Sequence, residues 1–199
     1  MSKERIILPT PHIVGAKSVA EALWLRKSER ESSLRALSLQ DMSNILWAAN
    51  GINRSNEGRR TAPSALNVQD ICVYVFLPEG IYLYEPVTHS LSLKVEGDHR
   101  KVIAGLPSPA RSQEYAADFP MTLLMVSDLE RFGMPIDDNV RQMAAIDAGI
   151  VSENISLFCA SVGFITVPRV SMDKSAIIEL LEFSDTQIPM INNPVGYRK

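Results

Sequence analysis

The sequence predicts a protein of the α+β class. Apolar residues recur every three or four positions over residues 139–162, which is typical of a long helix. β-Branched and aromatic residues concentrate in three short runs between residues 71 and 95, and turn residues separate these runs. The three runs therefore predict an antiparallel meander. Helices and strands do not alternate regularly along the chain, as a doubly wound α/β protein requires, so the α+β class is favoured.

The N-terminal quarter predicts an extended arm and two capped helices. The arm covers residues 1–15. Ser18 and Glu21 have the spacing of a capping box, in which each side chain satisfies a backbone N–H group at a helix start. A second helix is expected to begin after the N-cap residue Ser38 and to end at Gly51, because glycine commonly follows the last turn of a helix.

The spacing of apolar residues and the positions of turn residues predict the remaining helices and strands. We expect strands at 71–77, 81–84, 91–95, 121–126, 164–167 and 188–195, and helices at 98–104, 139–162 and 173–183. The helix at 139–162 has a second apolar face, formed by Met143, Ile146, Ile150 and Leu157. A helix that is apolar over so much of its circumference is buried in a core or between subunits.

Length, composition and charge narrow the class of protein. The 199 residues, 46% of them apolar, predict one domain over 1–199, and the net charge of −3 lacks the basic excess that non-specific nucleic-acid binding needs. No apolar run approaches the roughly 20 residues that span a bilayer. The first residues do not form a signal peptide. We therefore expect a cytoplasmic protein that binds neither nucleic acid nor a membrane.

The common catalytic motifs are absent from the sequence. The three histidines lack metal-ligand spacing, and His89, which lies in a turn, is expected to be solvated. There is no GxSxG, P-loop or GxGxxG motif. Cys72 falls in a predicted strand and Cys159 in the long helix, so both resemble small core residues. The sequence predicts no metal site and no catalytic side chain, which directs attention to a bound cofactor.

A basic cluster follows the first helix, which is expected to end at about residue 27. It comprises Arg26, Lys27, Ser28 and Arg30. Guanidinium, ammonium and hydroxyl groups of this kind bind phosphate monoesters. Cations at the C-terminal end of a helix also complement its dipole while they remain solvated, and spacing alone favours that second interpretation.

A segment of small residues precedes the first strand of the meander, at residues 60–70. Its proline and small side chains would let backbone N–H groups approach a flat ligand, and Ser64, Asn67 and Gln69 offer donors and acceptors for the edge of a heterocycle. The same segment is also compatible with an ordinary helix N-cap at Ser64.

Five segments in register resemble the FMN-dependent nitroreductase family, in particular its short branch similar to the azoline-forming oxidases. They are Arg26-Lys-Ser-Glu-Arg30, the second helix at 37–53, Arg59-Arg-Thr-Ala-Pro-Ser-Ala65, the long-helix residues Asp147-Ala-Gly149 with Glu153-Asn154 and Ala160-Ser-Val-Gly163, and Pro194-Val-Gly-Tyr197. The resemblance covers almost the whole chain from about residue 16.

The resemblance implies a homodimer in which the long helices pack together and FMN lies at the subunit interface. The residues that would hold the phosphate and ribityl chain are Arg26, Lys27, Ser28 and Arg30. Those that would line the flavin from the other subunit are Pro63, Ser64, Ala65 and Leu66, with Asn67 reaching ring or ribityl oxygens. The loop that approaches the flavin ring would contain Pro168, Val170 and Ser171.

At two places the sequence departs from the family pattern, and both affect the roles that the resemblance implies for these residues. The ring-facing loop has Arg169-Val170-Ser171 where many relatives have acidic and glycine residues, so its hydrogen bonding to the ring is an open question. The sequence ends at Arg198-Lys199, so either Arg198 takes the phosphate role of a later basic residue or that contact is missing.

The implied activity is a two-electron reduction by a ping-pong mechanism. NADH or NADPH would reduce the flavin and leave, after which a nitroaromatic, a quinone or an activated alkene would take two electrons in the same pocket. A second interpretation is an azoline-type oxidase or dehydrogenase, in which Gln113 or Tyr115 would serve as polar partners in a peptide pocket. A third is a flavin-binding dimer without turnover.

Overall fold

The computed structural model describes residues 4–105 and 113–199. The strands are β1 (Arg5–Ile7), β2 (Ile52–Arg54), β3 (Arg59–Arg60), β4 (Ile71–Leu77), β5 (Gly80–Glu85), β6 (Ser90–Glu96), β7 (Met121–Asp128), β8 (Phe164–Thr166) and β9 (Gln187–Tyr197). The helices are α1 (Val19–Leu25), α2 (Leu39–Asn50), α3 (Arg100–Ala104), α4 (Asp138–Val162) and α5 (Lys174–Leu181). The α+β class is confirmed.

Seven of these strands form one sheet in the order β1-β6-β5-β4-β7-β9-β8. All neighbouring pairs in it are antiparallel, and β4, β5 and β6 form the predicted meander. The N-terminal arm differs from the expectation in one respect, because Arg5–Ile7 pairs with β6 as an edge strand. The C-terminal strand β9 lies between β7 and β8, so the end of the chain runs through the sheet.

The two faces of the sheet are covered by different helices. Along β4, Val73 and Val75 pack into the core that also holds α2 and α4, whereas Tyr74 and Phe76 pack on the opposite side with α3 and α5. This division follows from the two-residue period of a strand, which points successive side chains to opposite faces. The fold is therefore a sheet between two helical layers.

The long helix α4 lies against the sheet along one face only. Ala148, Val151 and Ile155 are buried in the core, whereas Ile146, on the second apolar face, is 55% exposed. By length and composition α4 is apolar enough to cross a membrane, but its buried face is a core contact with α2 and the sheet. On its second face Met143 and Ile150 are partly buried against the core, and Ile146 is left exposed within one protomer.

The first helix is shorter than expected. Ser18 and Glu21 form the complete capping box, and the helix ends at Leu25. Arg26 already has an extended conformation (φ −59°, ψ 123°), although its N–H group still bonds to Ala22. The basic cluster consequently lies on extended chain beyond the helix.

Candidate functional site

Backbone hydrogen bonds hold the basic cluster against the last two strands of the sheet. The Glu29 N–H group donates to the Thr166 carbonyl oxygen of β8 at 3.1 Å, and Ser33 N–H donates to the Tyr197 carbonyl oxygen of β9 at 2.9 Å. Ser32 forms an isolated bridge with Arg198. The structure thus brings Arg198 next to the cluster at 26–30, although the two are far apart in sequence.

Glu29 links two of the predicted phosphate-binding residues. Lys27 Nζ lies 3.2 Å from Glu29 Oε2, and Arg198 Nη2 donates to Glu29 Oε1 at 2.6 Å. Arg26, Ser28 and Arg30 are exposed. Within residues 4–105 and 113–199, neither guanidinium group of Arg26 and Arg30 has an ion-pair partner. Two cations are therefore free to meet an anion, and two more are held by one carboxylate.

Lys27, Glu29 and Arg198 border a cleft of about 350 Å³ between the cluster and the C-terminal half of α4. Lys17, Lys27 and Arg198 contribute cations to its lining, and Cys159 of α4 and Phe164 of β8 contribute apolar surface. Ligand sites for small molecules have volumes of this order and a similar mixture of apolar walls with few polar groups. The donor set fits the phosphate end of a nucleotide-like cofactor such as FMN.

The loop at 63–69 is held by a carboxylate of α4. The Ala65 N–H group donates to both Asp147 oxygens, at 3.0 Å and 2.8 Å. The Ser64 hydroxyl accepts from Gln69 N–H at 2.9 Å and makes no cap to the short 3-10 turn Ala65–Asn67. Ser64 therefore occupies an N-cap position, but of a single 3-10 turn and without a capping hydrogen bond from its side chain. Pro63, Leu66 and Asn67 are exposed, so the loop presents its outer surface to solvent in one protomer.

Three residues of this loop have backbone conformations that L-amino acids rarely adopt. The φ angles of Leu66, Asn67 and Gln69 are 53°, 56° and 54°. Left-handed conformations of non-glycine residues are costly and concentrate at ligand sites. Contacts with neighbouring elements must hold this loop in place.

Within one protomer, the basic cluster and the loop lie at different points along α4. The cleft beside the cluster is lined by Cys159, whereas the loop is held by Asp147, twelve residues earlier in the helix. At 1.5 Å per residue this separation is about 18 Å. The residues of each half of the predicted site lie close to one another, but within one protomer the two halves stay apart.

The predicted ring-facing loop follows β8 and is fixed by Asn192 of β9. Arg169 N–H donates to the Asn192 carbonyl oxygen and Asn192 N–H donates to the Arg169 carbonyl oxygen, both at 2.8 Å. The Asn192 side chain also donates to the Ser171 carbonyl oxygen at 3.3 Å. Pro168 is half-buried, and Val170 is 70% exposed. The backbone N–H group of Arg169 therefore already donates a hydrogen bond within the protein.

The Arg169 side chain is buried, and its acceptors among the described residues are all neutral. Its Nε donates to Gln113 Oε1 at 2.8 Å, and its two Nη atoms donate to Asn192 Oδ1 at 3.0 Å and to the Ala104 carbonyl oxygen at 3.1 Å. Burial lowers the pKa of this guanidinium. Tyr115 also donates to Gln113 Oε1, so both residues considered for a peptide pocket face Arg169. The loop suggested for that pocket spans residues 105–119, of which residues 106–112 lie outside the described residues.

His89 was expected to be solvated, and that expectation was wrong. Its Nε2 lies 2.7 Å from the Ser43 hydroxyl, and its Nδ1 lies 2.9 Å from the Tyr84 hydroxyl. Ser43 also donates to the Pro9 carbonyl oxygen, so His89 helps to fasten the N-terminal arm to α2. Burial lowers the pKa of His89, although the Pro9 carbonyl oxygen opposes the change. Among the described residues, no group of His, Cys, Asp and Glu side chains is placed to hold a metal ion.

Comparison with known proteins identifies the family. The model of the Nitroreductase family matches residues 25–197 of the chain. The chain belongs to this family. A curated relative from Methanocaldococcus jannaschii, named as a candidate nitroreductase, is 30% identical over 187 residues, which are 88% of this chain and 89% of the relative.

Solved structures agree with this nitroreductase-family assignment. A candidate nitroreductase from Ralstonia eutropha JMP134 superposes with a TM-score of 0.87 at 35% identity and covers 99% of this chain and 90% of its own. A protein from Staphylococcus epidermidis named as an NAD(P)H:FMN oxidoreductase has a TM-score of 0.68 at 15% identity, with 94% of this chain and 91% of its own covered. The last comparison shows a shared fold. The predicted nitroreductase-like fold is confirmed.

Sequence reasoning did not predict the burial of three charged residues in this nitroreductase-family chain. Asp70 and Asp147 are buried carboxyl groups beneath the loop at 63–69, and Arg169 is a buried cation. Asp147 left a signal in the sequence, because it is the one acidic residue in the buried stripe that Ala144, Ala148 and Val151 continue. Arg169 left none, since burial of its side chain depends on elements distant in sequence.

Proposed function

We propose that this chain is an FMN-dependent oxidoreductase that uses NADH or NADPH to reduce a nitroaromatic, a quinone or an activated alkene by two electrons. Family membership supports an oxidoreductase, and the name of the Staphylococcus epidermidis structure supports FMN and NAD(P)H. The observation that carries the proposal is the group of cations at the cleft: Lys27 and Arg198 line it, and the exposed residues Arg26 and Arg30 lie on the same segment of chain as Lys27.

In this proposal the chain supplies position and charge. Bound FMN would supply the hydride chemistry. Arg26, Lys27, Arg30 and Arg198 would hold the phosphate through charge-assisted hydrogen bonds, with Ser28 as a neutral donor. The loop at 63–67 would present its backbone to the flat ring. The buried guanidinium of Arg169 would favour negative charge near the ring, because no carboxylate among the described residues neutralises it.

A homodimer would complete the site. Trp24 of α1 is 90% exposed and Ile146 of α4 is 55% exposed, so one protomer leaves large apolar side chains uncovered. Pairing across the second face of α4 would bury apolar surface. It would also bring the loop of one subunit to the basic cluster of the other, across the separation of about 18 Å that one protomer leaves.

The test is an absorption spectrum of the dialysed protein, followed by anaerobic addition of NADH and then NADPH. We expect flavin bands that bleach on reduction, and parallel double-reciprocal lines with a nitroaromatic or quinone acceptor. Flavin bands that neither donor bleaches would overturn the NAD(P)H-driven activity in favour of an oxidase or a non-catalytic flavin-binding dimer. A colourless protein that FMN cannot load would overturn the cofactor assignment.

A further inference from the structure

The loop that follows β8 contains a buried cation. The Arg169 side chain is 4% exposed. Its three closest acceptors are Gln113 Oε1 at 2.8 Å, Asn192 Oδ1 at 3.0 Å and the Ala104 carbonyl oxygen at 3.1 Å. None of these groups carries a negative charge. Because a guanidinium group stays protonated in proteins, its positive charge is not neutralised by these partners.

Arg169 fixes the orientation of the Gln113 side-chain amide. A guanidinium group has no acceptor atom, so the amide oxygen of Gln113, and not its nitrogen, must face it. The same oxygen accepts from the Tyr115 hydroxyl at 3.1 Å, and Arg169 Cζ lies 5.8 Å from the centroid of the Tyr115 ring. Since two donors hold the oxygen, the NH2 group of Gln113 must point away from both of them.

The amide nitrogen of Gln113 faces the Ser171 hydroxyl. Gln113 Nε2 lies 3.5 Å from Ser171 Oγ, at the outer limit for a hydrogen bond. The Ser171 carbonyl oxygen accepts from the Asn192 side chain at 3.3 Å, which fixes the backbone of the loop at this point. No described residue accepts the hydroxyl hydrogen of Ser171 or the second N–H of the Gln113 amide. Two donors therefore meet at one point, and both residues are partly exposed.

This pair of donors is suited to an oxygen atom that carries negative charge. An oxygen between two donors that are 3.5 Å apart can lie within about 3 Å of each of them. Hydrogen bonds to a charged acceptor are also stronger than those to a neutral one. An amine would find few acceptors here, because the Gln113 oxygen already accepts twice. The arrangement thus favours nitro, carbonyl or carboxylate oxygens over amines.

We propose that Gln113 and Ser171 bind an oxygen atom of the electron acceptor, and that Arg169 orients Gln113 and supplies positive charge near this oxygen. Gln113 and Ser171 are binding residues in this proposal, and Arg169 is a positioning residue. The identification of the ligand as the electron acceptor rests on the proposed function, whereas the preference for an anionic oxygen is a property of these three residues alone.

The test uses benzoate as the probe, because it presents two anionic oxygens on an aromatic ring and takes no electrons from a reduced flavin. Benzyl alcohol has the same ring without the charge and serves as the reference ligand. In isothermal titration of the protein with saturating FMN added, benzoate should bind about tenfold more tightly than benzyl alcohol. Equal affinities for the two ligands, or no measurable binding of benzoate, would overturn the proposal.

Two substitutions test the donors. Ser171→Ala removes one donor and should weaken benzoate binding by about tenfold, whereas Ser175→Ala, at an exposed position of α5, should leave it unchanged. Gln113→Glu keeps an oxygen for Arg169 and Tyr115 and replaces the NH2 group by a carboxylate oxygen. Benzoate binding should then fall by at least about tenfold, because like charges oppose each other. Unchanged benzoate affinity in both variants would show that the probe binds elsewhere and would overturn the proposal.

Two further substitutions test the cation. Arg169→Met removes the charge, and Arg169→Lys keeps it with a different geometry. We expect Arg169→Lys to retain more of the benzoate affinity than Arg169→Met, and urea denaturation measures the loss of stability in each variant. Equal losses of benzoate affinity in the two variants would mean that Arg169 acts through packing alone, which would overturn its role here.

Failure of this proposal and failure of the proposed function give different results. Benzoate binding that depends on Gln113 and Ser171, in a protein that binds no FMN, would remove only the proposed function. Bound FMN that NADH or NADPH reduces, in a protein whose benzoate affinity none of the substitutions at these three residues changes, would remove only the oxygen site.

Discussion

At the scale of single residues, Glu29 sets the charge available to a ligand. Its carboxylate holds Lys27 and Arg198 at 3.2 Å and 2.6 Å, while Arg26 and Arg30 have no ion-pair partner in the part of the chain that the structure describes. A ligand phosphate would compete with Glu29 for two of the four cations. The positive charge of this surface is therefore partly neutralised. Arg26 and Arg30 can bind an anion directly, whereas Lys27 and Arg198 must first leave Glu29.

Removal of Glu29 should strengthen phosphate binding. In Glu29→Gln, Lys27 and Arg198 lose their carboxylate, so FMN affinity should rise by about 1 kcal/mol, or roughly fivefold. Isothermal titration measures this change. Riboflavin, which lacks the phosphate, should bind the variant and the wild type equally. A fivefold gain for riboflavin as well, or weaker FMN binding, would contradict the assignment.

Removal of the free cations should have the opposite effect. Arg26→Ala combined with Arg30→Ala should weaken FMN binding by about 2–4 kcal/mol, since each charge-assisted contact contributes roughly 1.5–3 kcal/mol before non-additivity. The matched control is Arg5→Ala with Lys94→Ala, which removes the same charge at the opposite edge of the sheet. If both double variants bind FMN as the wild type does, the phosphate assignment is wrong.

At the scale of elements, α4 organises the molecule. Its N-terminal half holds the loop through Asp147, its middle packs in the core through Val151 and Ile155, and its C-terminal half borders the cleft through Cys159. Gly163 then ends the helix with a φ of 85°, and the chain turns directly into β8. The direction of that turn sets where β8 and the loop after it lie.

The left-handed turn at Gly163 should tolerate few other residues. Gly163→Ala should lower the free energy of unfolding by about 1 kcal/mol, because a Cβ atom is unfavourable at this φ. Gly163→Asn is the matched control and should lose less, since asparagine adopts this conformation more readily. Urea denaturation gives both values. Equal losses for the two variants would mean that space, rather than backbone conformation, governs this position.

At the scale of the whole molecule, one protomer leaves large apolar side chains exposed and the two halves of the candidate site apart. Ile146 on the second face of α4 is 55% exposed, and Trp24 of α1 is 90% exposed. The two halves of the candidate site lie about 18 Å apart along α4. A second copy of the chain would satisfy both conditions at once, which is why the proposed function includes a homodimer.

A charge at Ile146 should separate the subunits. Ile146→Glu should shift the protein from dimer to monomer in sedimentation velocity and reduce its FMN content, because burial of a carboxylate in an apolar interface is unfavourable. Val87→Glu is the control, since Val87 is 84% exposed in the turn between β5 and β6. A wild-type monomer that binds FMN stoichiometrically would refute the shared site.

The elements themselves could be predicted from local pattern. The capping box at Ser18 and Glu21, the period of α4 and the meander after Ile71 were all visible in the sequence, and the structure confirms them. Ends were less accurate, as α1 shows by ending at Leu25. The basic residues that follow it were also identified as a group. Their role stays a prediction, since no ligand contact tests it.

The sequence by itself determined the α+β class, the type of each main element and the presence of a cationic segment after α1, because these depend on neighbours within a few residues. Only the tertiary structure decided that Arg198 joins that segment and that Arg169 turns inward. It also placed Asp147 under Ala65, a residue 82 positions away along the chain. Such contacts depend on strand order and helix docking, which bring distant residues together and remove them from water, and no local pattern records that.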